Sequence, residues 1–394
     1  MFSPIKDPII NKGNKYPKRI DNKIYSNIAM LSGDVARDIR LSYTGGSTDM
    51  YIPKNPLGTQ IHVYDVNSLY PSVMLNCKYP IGSPTYFEGN LFKLDPNLFG
   101  FFYCKITTPE YLDHPILQVH HKSNVGTRTI SPLGSWEGWY FSEELKNSLK
   151  FGYQFEVLRG YYFKSDYIFK DYVNDLYNLR LKYPKSDPMN YIAKILLNSL
   201  YGRFGMDDNF SETEILSTKD YLELEKEKDN NHIELLEVTP LKDKYMVTSK
   251  YYSTYLNTRL DNGSEYHNVN IAIASAVTAY SRIHMSQFKN NKDLPNLYYT
   301  DTDSLYFDKG GPISDSQALL VSSTTLGKLK LEGIYDKALF LAPKVYALEN
   351  KESKIIKVKG LNNQVLNTLS FSELEILLNR DQSYYLIKKN GIDL

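Results

Sequence analysis

Apolar positions along this chain change period several times, and each change predicts an element. The run Ile61-His62-Val63-Tyr64-Asp65-Val66 is short, β-branched and aromatic, which predicts a buried strand. Residues 298–307 alternate as two short strands around a tight Asp-Thr-Asp turn. Residues 80–135 mix Pro, Gly and aromatics, the texture of short strands and loops. Ser142-Glu143-Glu144 reads as a helix start with Ser142 as cap and acids in the first turn, closed by Gly152. Residues 166–181 read as helix, and Asp187-Pro188 opens another with Asp as cap and Pro at the first helical position. The alanine-rich run 269–288 is a further helix. Residues 1–40 have few apolar pairs and read as a lead-in, while 211–245 reads as a surface insertion carrying a hairpin or loop. Together these predict a mixed α+β chain.

Composition narrows the class. At 394 residues the chain has room for several modules, and 42% hydrophobic with 23% charged residues is an ordinary folded balance. No apolar run approaches the roughly 20 residues of a membrane span, so no membrane partner is expected. The first ten residues lack the pattern of a secretory signal. Two cysteines, Cys77 and Cys104, exclude a disulfide scaffold and a multi-cysteine zinc site. The net charge of +1 announces no partner, although residues 12–23 and 328–360 are locally basic and 220–244 acidic. The 34 tyrosines and 31 asparagines suit an AT-rich gene.

Three segments carry chemistry. In Asp65-Val66-Asn67-Ser68-Leu69-Tyr70-Pro71-Ser72 a carboxylate ends a strand and the chain turns into a helix, whose start offers free N–H groups to phosphate. In Tyr298-Tyr299-Thr300-Asp301-Thr302-Asp303-Ser304 two carboxylates flank one residue. On a strand they share a face, and at a tight turn they diverge, so that one binds a metal and the other supports it. In Lys194-Ile195-Leu196-Leu197-Asn198-Ser199-Leu200-Tyr201-Gly202, helical spacing puts Lys194, Asn198 and Tyr201 on one stripe, with Ile195, Leu196, Leu197 and Leu200 expected to be buried. Such a stripe suits a phosphorylated ligand with a flat base. Taken singly, each segment also fits a commonplace role: a capping Asp, a solvated hairpin tip, a snorkelling Lys. Jointly they describe carboxylates on separate strands able to hold two divalent ions about 4 Å apart for in-line phosphoryl transfer, with a lysine for the departing phosphates.

These segments, DxxSLYPS, Kx3NSxYG and YxDTDS in this order, resemble motifs A, B and C of the family B DNA polymerases. Tyr43-Thr44-Gly45-Gly46 resembles the YxGG motif that joins exonuclease and polymerase modules in that family, and Lys357-Val358-Lys359-Gly360 stands where it has a KxY-like thumb motif. The separation of 129 positions from Asp65 to Lys194 leaves room for the insertion of the protein-primed branch. Gly134-Ser135-Trp136-Glu137-Gly138-Trp139 and Leu341-Ala342-Pro343-Lys344-Val345-Tyr346 are similar to phrases in polymerases of linear mitochondrial plasmids of fungi and plants.

The resemblance implies a right-hand fold, with an antiparallel-sheet palm, helical fingers, a small thumb and insertions between motifs A and B and between B and C. It divides the chain into a lead-in (1–42), YxGG with motif A (43–79), palm with the priming-type insertion (80–160), fingers with motif B (161–206), a second insertion (207–265), palm with motif C (266–335) and thumb (336–394). It implies a DNA-directed DNA polymerase taking dNTPs on a DNA primer-template, with a terminal protein as primer, in the mitochondrion. Two Mg²⁺ ions, for which Mn²⁺ can substitute, would be held by Asp65, Asp303 and the Val66 carbonyl, with Asp301 in support. Ser68 and Leu69 would hold the triphosphate, Tyr70 would exclude a 2′-hydroxyl, and Lys194, Asn198 and Tyr201 would bind the nucleotide. Tyr43, Gly45, Gly46, Gly202, Lys357 and Lys359 would contact DNA, and Arg180 or Lys182 would add a phosphate contact.

One departure bears on activity. About forty residues precede YxGG and the first glutamate is Glu88, so the DxE pair of a proofreading exonuclease is absent upstream and no editing is expected. An inactive remnant that only binds DNA or a terminal protein is the alternative reading, against which stand the retained acids and Lys194. A reverse transcriptase would carry adjacent aspartates where Thr302 separates these two.

Overall fold

A computed structural model of the chain describes residues 28–29, 31, 33–123, 126–206, 211–229, 233–251, 270–308 and 320–379. The basic run at 12–23 and the start of the alanine-rich run lie outside the described residues. Five antiparallel strands form the sheet on which the motif residues sit: β1 (Thr48–Met50), β2 (Ile61–Val66), β12 (Leu297–Asp301), β13 (Ser304–Asp308) and β14 (Leu329–Tyr335), in the order β1-β12-β13-β2-β14. Central β2 alternates because both faces are covered. Tyr64 and Val66 enter one core with Leu305 and Phe307, while Ile61 and Val63 enter another with Tyr299 and Tyr306. Register pairs Ser304 with Asp65, so the two motif strands end side by side.

The residues after β2 form α2 (Leu69–Asn76), and a second antiparallel sheet follows from β3 (Tyr79–Glu88), β4 (Gly100–Thr107), β7 (Ser135–Phe141) and β8 (Gln154–Asp166), in the order β3-β8-β4-β7. Short helix α3 (Leu91–Leu94) bridges β3 and β4, and β5 (Val119–Ser123) with β6 (Gly126–Ile130) makes a separate two-stranded ribbon. Helix α4 (Ser142–Ser148) leads from β7 to β8. Ser142 is its first helical residue rather than its cap. Its hydroxyl accepts the Gly100 N–H at 3.1 Å, so the tertiary contact wins over capping. Gly152 closes the stretch in the left-handed region, φ 81°. The helix expected over 166–181 begins later, as α5 (Lys170–Lys182), because β8 runs on to Asp166, where it pairs with Tyr79 at the start of β3.

Helix α6 (Pro188–Phe204) starts at Asp187, whose carboxylate accepts the Met189 N–H at 2.8 Å, and packs along α5. Leu197 is buried, but Ile195 and Leu196 are 45% and 43% exposed, contrary to expectation. Helix α5, α2 and the alanine-rich helix pack against α6 and its polar stripe lines a cavity, which leaves Ile195 and Leu196 on its exposed side. The acidic insertion is more ordered than a hairpin: β9 (Ser211–Ser217), α7 (Thr218–Asp229), β10 (Ile233–Leu241) and β11 (Lys244–Tyr251) form a helix-backed sheet, β10-β11-β9.

The alanine-rich helix is α8 (Ile271–Lys289), about 28 Å long at 1.5 Å per residue. It is buried on every side, which its small residues Ala272, Ala274, Ser275, Ala276 and Ala279 permit. It packs against α2, α4, α6 and α1 (Gly33–Arg40). The last of these corrects the lead-in reading: residues 33–40 form a helix with Ile39 fully buried. Strands β15 (Lys337–Ala342), β16 (Val345–Glu349) and β17 (Lys354–Val358) form a final antiparallel sheet carrying the short helices α9 (Asn363–Leu366) and α10 (Phe371–Glu375). Cys77 and Cys104 are both free thiols. Among the described residues no helix is long and apolar enough to cross a membrane.

Candidate active site

A cavity of about 740 Å³ opens between the end of β2, the start of α2, and helices α5 and α6. Asp65, Ser68, Leu69, Tyr70, Lys194, Asn198, Tyr201 and Asp303 all line it, so three segments distant in sequence meet there. Two backbone hydrogen bonds fix the acid-bearing ends: Val66 N–H donates to the Asp303 carbonyl at 2.8 Å and Thr302 N–H to the Ser47 carbonyl at 2.9 Å. Val66 itself is fully buried, leaving only its backbone for any contact.

The two acids of the β12–β13 turn diverge. Asp303 faces the cavity, whereas the Asp301 carboxylate accepts from Lys344 Nζ at 2.6 Å and from Thr48 Oγ1 at 3.0 Å. The divergence is built by Thr302, whose φ of 61° turns the chain in the left-handed region. Lys344 shares that region, φ 63°, and its N–H donates to the Tyr299 hydroxyl, while Tyr346 packs against Tyr299 and Tyr306. This lysine was missed as a site residue although its phrase stood out in the sequence. Only the fold brings a residue 43 positions downstream onto Asp301.

Electrostatics polarise the cavity. Burial raises the Asp65 carboxyl to about 7, with nearby Asp303 and Glu332 adding to the rise and Lys330 and Lys194 opposing it. Burial likewise raises Asp303. Arg180, Lys185 and Lys194 line the helical side. Arg180 Nη1 donates to the Ser68 hydroxyl at 3.2 Å, which separates it from Lys182, absent from the lining. Ser68 holds a left-handed conformation, φ 48°, and does not cap α2 with its side chain. Tyr70 stacks near Tyr201, ring centroids 4.2 Å apart, and burial raises its hydroxyl far above the usual phenol range. Lys330 and Glu332, paired at 2.5 Å on β14, complete the sheet side and gave no sequence signal.

The donor set fits a hard cation shared with a phosphate ligand. Two carboxylates on adjoining strands face one polar cavity, and among the described residues no group of three or more His, Cys, Asp or Glu forms a cage. Mg²⁺ is commonly bound in this way, by one or two carboxylates together with substrate phosphates.

The remaining expected site residues lie around rather than in the cavity. Arg282 Nη1 donates to the carbonyls of Thr44 and Gly45. The Tyr43 ring lies against Gly205 at the end of α6, where Arg40 donates to the Gly205 and Met206 carbonyls. Gly202 has open space in place of a side chain. Lys357 and Lys359 are exposed at β17, next to Lys344 through the Lys359 N–H···O bond of 3.0 Å. Gly46 touches the turn itself: a Cβ there would lie 2.9 Å from the Thr302 Cα. Gly46→Ala should therefore displace the Asp301–Asp303 turn and lower activity about a hundredfold with little change in melting temperature, checked by primer extension and thermal unfolding.

The chain matches the family model described as DNA polymerase type B, organellar and viral, over residues 12–295. A "Probable DNA polymerase" of Neurospora intermedia is 37% identical over 364 residues, covering 89% of this chain and 35% of that protein. Another from Ascobolus immersus is 36% identical over 332 residues, covering 83% of this chain and 26% of that protein. The chain thus spans about a third of the length of these relatives. The structure of phi29 DNA polymerase complexed with primer-template DNA and incoming nucleotide superposes with a TM-score of 0.64 at 21% identity, over 89% of this chain and 59% of that one.

Proposed function

The chain belongs to the organellar and viral type B DNA polymerases, and on that premise we propose that it carries the DNA-directed polymerase activity itself, adding dNTPs to a DNA primer. The observation that carries this reading is the single cavity uniting Asp65 and Asp303 with Lys194, Asn198 and Arg180. Asp65 and Asp303 would hold Mg²⁺, or Mn²⁺ in its place, with the Val66 carbonyl as a further ligand. When bound, such ions lower the barrier to attack of a 3′-hydroxyl on the α-phosphate and neutralise the departing diphosphate. The chain's own residues supply the rest. Arg180, Lys185 and Lys194 give the triphosphate a cationic wall, worth about 1.5–3 kcal/mol for each charge-assisted hydrogen bond. The unpaired N–H groups at the start of α2, at Leu69 and Tyr70, offer further donors. Asn198 and Tyr201 flank the nucleotide.

Lys344 holds Asp301 aside, so that Asp303 alone of the two faces the ions. Lys357 and Lys359 continue that cationic edge toward the primer-template duplex. Residues 43–160 and 266–335 act as palm, 161–206 as fingers and 336–394 as thumb. The resemblance of its phrases to polymerases of linear mitochondrial plasmids, with fungal and phage DNA polymerases among its relatives, supports initiation on a terminal protein and replication of a linear mitochondrial plasmid.

Extension of a primed DNA template with dNTPs and Mg²⁺ tests the reading. The chain should extend and its Asp303→Ala variant should not. DNA binding without extension by either would replace it with the inactive-remnant reading. Tyr70 tests the sugar pocket: its ring lies beside Tyr201 in the cavity, where it would meet a 2′-hydroxyl, so Tyr70→Ala should raise ribonucleotide incorporation at least about tenfold, measured with a single rNTP on the same template.

A further inference from the structure

Behind the YxGG segment lies a second cavity of about 230 Å³, enclosed by Ser42 and Thr44, the β4–β7 strands and the root of the β5–β6 ribbon. Its floor is an ion pair. Arg282 donates to Glu144 at 2.6 and 2.9 Å, and both side chains are only 5% exposed. Its walls are aromatic, from Tyr103, Trp139, Tyr140 and His120. The hydroxyl of Tyr140 is already committed, receiving from Trp136 and donating to the Gln118 carbonyl. The Gln118 side chain is the exception. The residue is 7% exposed, lines the cavity, and its Oε1 is buried with no hydrogen-bond partner among the described residues. A buried acceptor without a donor is costly, and a ligand donor would relieve it.

The chemistry selects the ligand. The volume falls below the ~300–1,000 Å³ of pockets for drug-sized molecules, which suits one planar ring system. Glu144 and Glu137 exclude a phosphate from the interior. Outside the cavity, exposed Lys122 and Arg128 stand on the ribbon, and Arg159 lies over the Tyr103 ring at 4.2 Å. An aromatic interior with a buried, unpartnered acceptor and cations outside it is the combination that takes an unstacked base and leaves its flanking phosphates at the surface. Thr44 adjoins Tyr43, which packs on Gly205 just past the end of α6, so the YxGG segment links the cavity to the helix that lines the candidate active site.

We propose that this cavity is a subsite for a single unstacked base, adenine or cytosine, of the unpaired template strand, whose amino group donates to Gln118 Oε1. That the strand is template rests on the polymerase reading; the base site itself does not.

The test uses the full chain, fluorescence anisotropy and two primer-templates, one with a twelve-nucleotide cytosine overhang and one with a single unpaired template nucleotide. Gln118→Leu should weaken binding of the long overhang about fivefold and Tyr103→Ala about tenfold, with the short overhang unchanged. Because the orphaned acceptor is removed, Gln118→Leu should melt no lower than the parent chain. Unchanged affinity for the long overhang would overturn the subsite and leave an aromatic side chain of a protein partner as its occupant. Equal losses on both overhangs, or a lowered melting temperature, would make Gln118 a structural residue and also overturn it. If instead the overhang effect holds while the parent chain extends no primer, the base site stands and only the polymerase reading fails.

Discussion

Asp65→Asn will abolish primer extension, by at least about a thousandfold, and will at the same time make the metal-free protein harder to unfold. The activity loss follows from removing one of two carboxylates that face the cavity, since several kcal/mol of transition-state stabilisation by the ions depends on them. The stability gain follows first from burial of the carboxylate and then from its like-charged neighbours. Burial, Asp303 and Glu332 raise the Asp65 carboxyl from 3.8 to about 7. A raised carboxyl keeps its proton in the folded state while the unfolded state has already lost it. Stability from this group therefore falls as pH rises from 3.8 toward 7 and stays reduced above that. Asparagine has no proton to lose, so its advantage over the parent should be small at pH 4 and full at pH 8. Denaturant midpoints in a chelating buffer at these two pH values check the sign. Added Mg²⁺ should raise the midpoint of the parent and leave Asp65→Asn nearly unmoved. An equal advantage at both pH values would show that ionisation of the buried carboxyl is not what the substitution relieves.

That trade of stability for chemistry was partly legible in the sequence, and the boundary of legibility has a physical cause. Lys194, Asn198 and Tyr201 could be placed on one face because helix periodicity is local. The strand ending at Asp65 and the turn of 301–303 were equally local, and motif spacing linked the three. Contacts made across the fold left no such trace. Lys344 on Asp301 and Arg180 on Ser68 join residues 43 and 112 positions apart. The exposure of Ile195 and Leu196 could not be read from an apolar run, because it depends on which elements flank α6. The extension of β8 to Asp166 likewise reflects its pairing with β3 rather than propensity. Gly46 carries its reason only in three dimensions, where its missing side chain lets the YxGG backbone touch Thr302.

Arg282 is the extreme case, a single arginine in an alanine-rich helix, and Arg282→Ala should cost about 3–5 kcal/mol of stability. Its Nε and Nη2 hold both Glu144 oxygens, and its Nη1 serves the carbonyls of Thr44 and Gly45. Truncation leaves Glu144, 4% exposed, as a buried unpaired charge and withdraws the donor from two carbonyls. Arg282→Lys should recover only part of this, because one ammonium cannot reproduce the planar fork. Glu144→Gln in the Arg282→Ala background should restore more, since it removes the uncompensated charge. Urea unfolding of the parent, Arg282→Ala, Glu144→Gln and the double variant gives the coupling directly. A loss below about 1 kcal/mol for Arg282→Ala would mean that the pair is no better than a surface salt bridge. The functional consequence follows from connectivity. Thr44 and Gly45 lead into Gly46, which abuts the turn presenting Asp303, so Arg282→Ala should lower extension even at temperatures where the variant remains folded. Glu144→Gln alone keeps Arg282 on those carbonyls and should retain most of the activity.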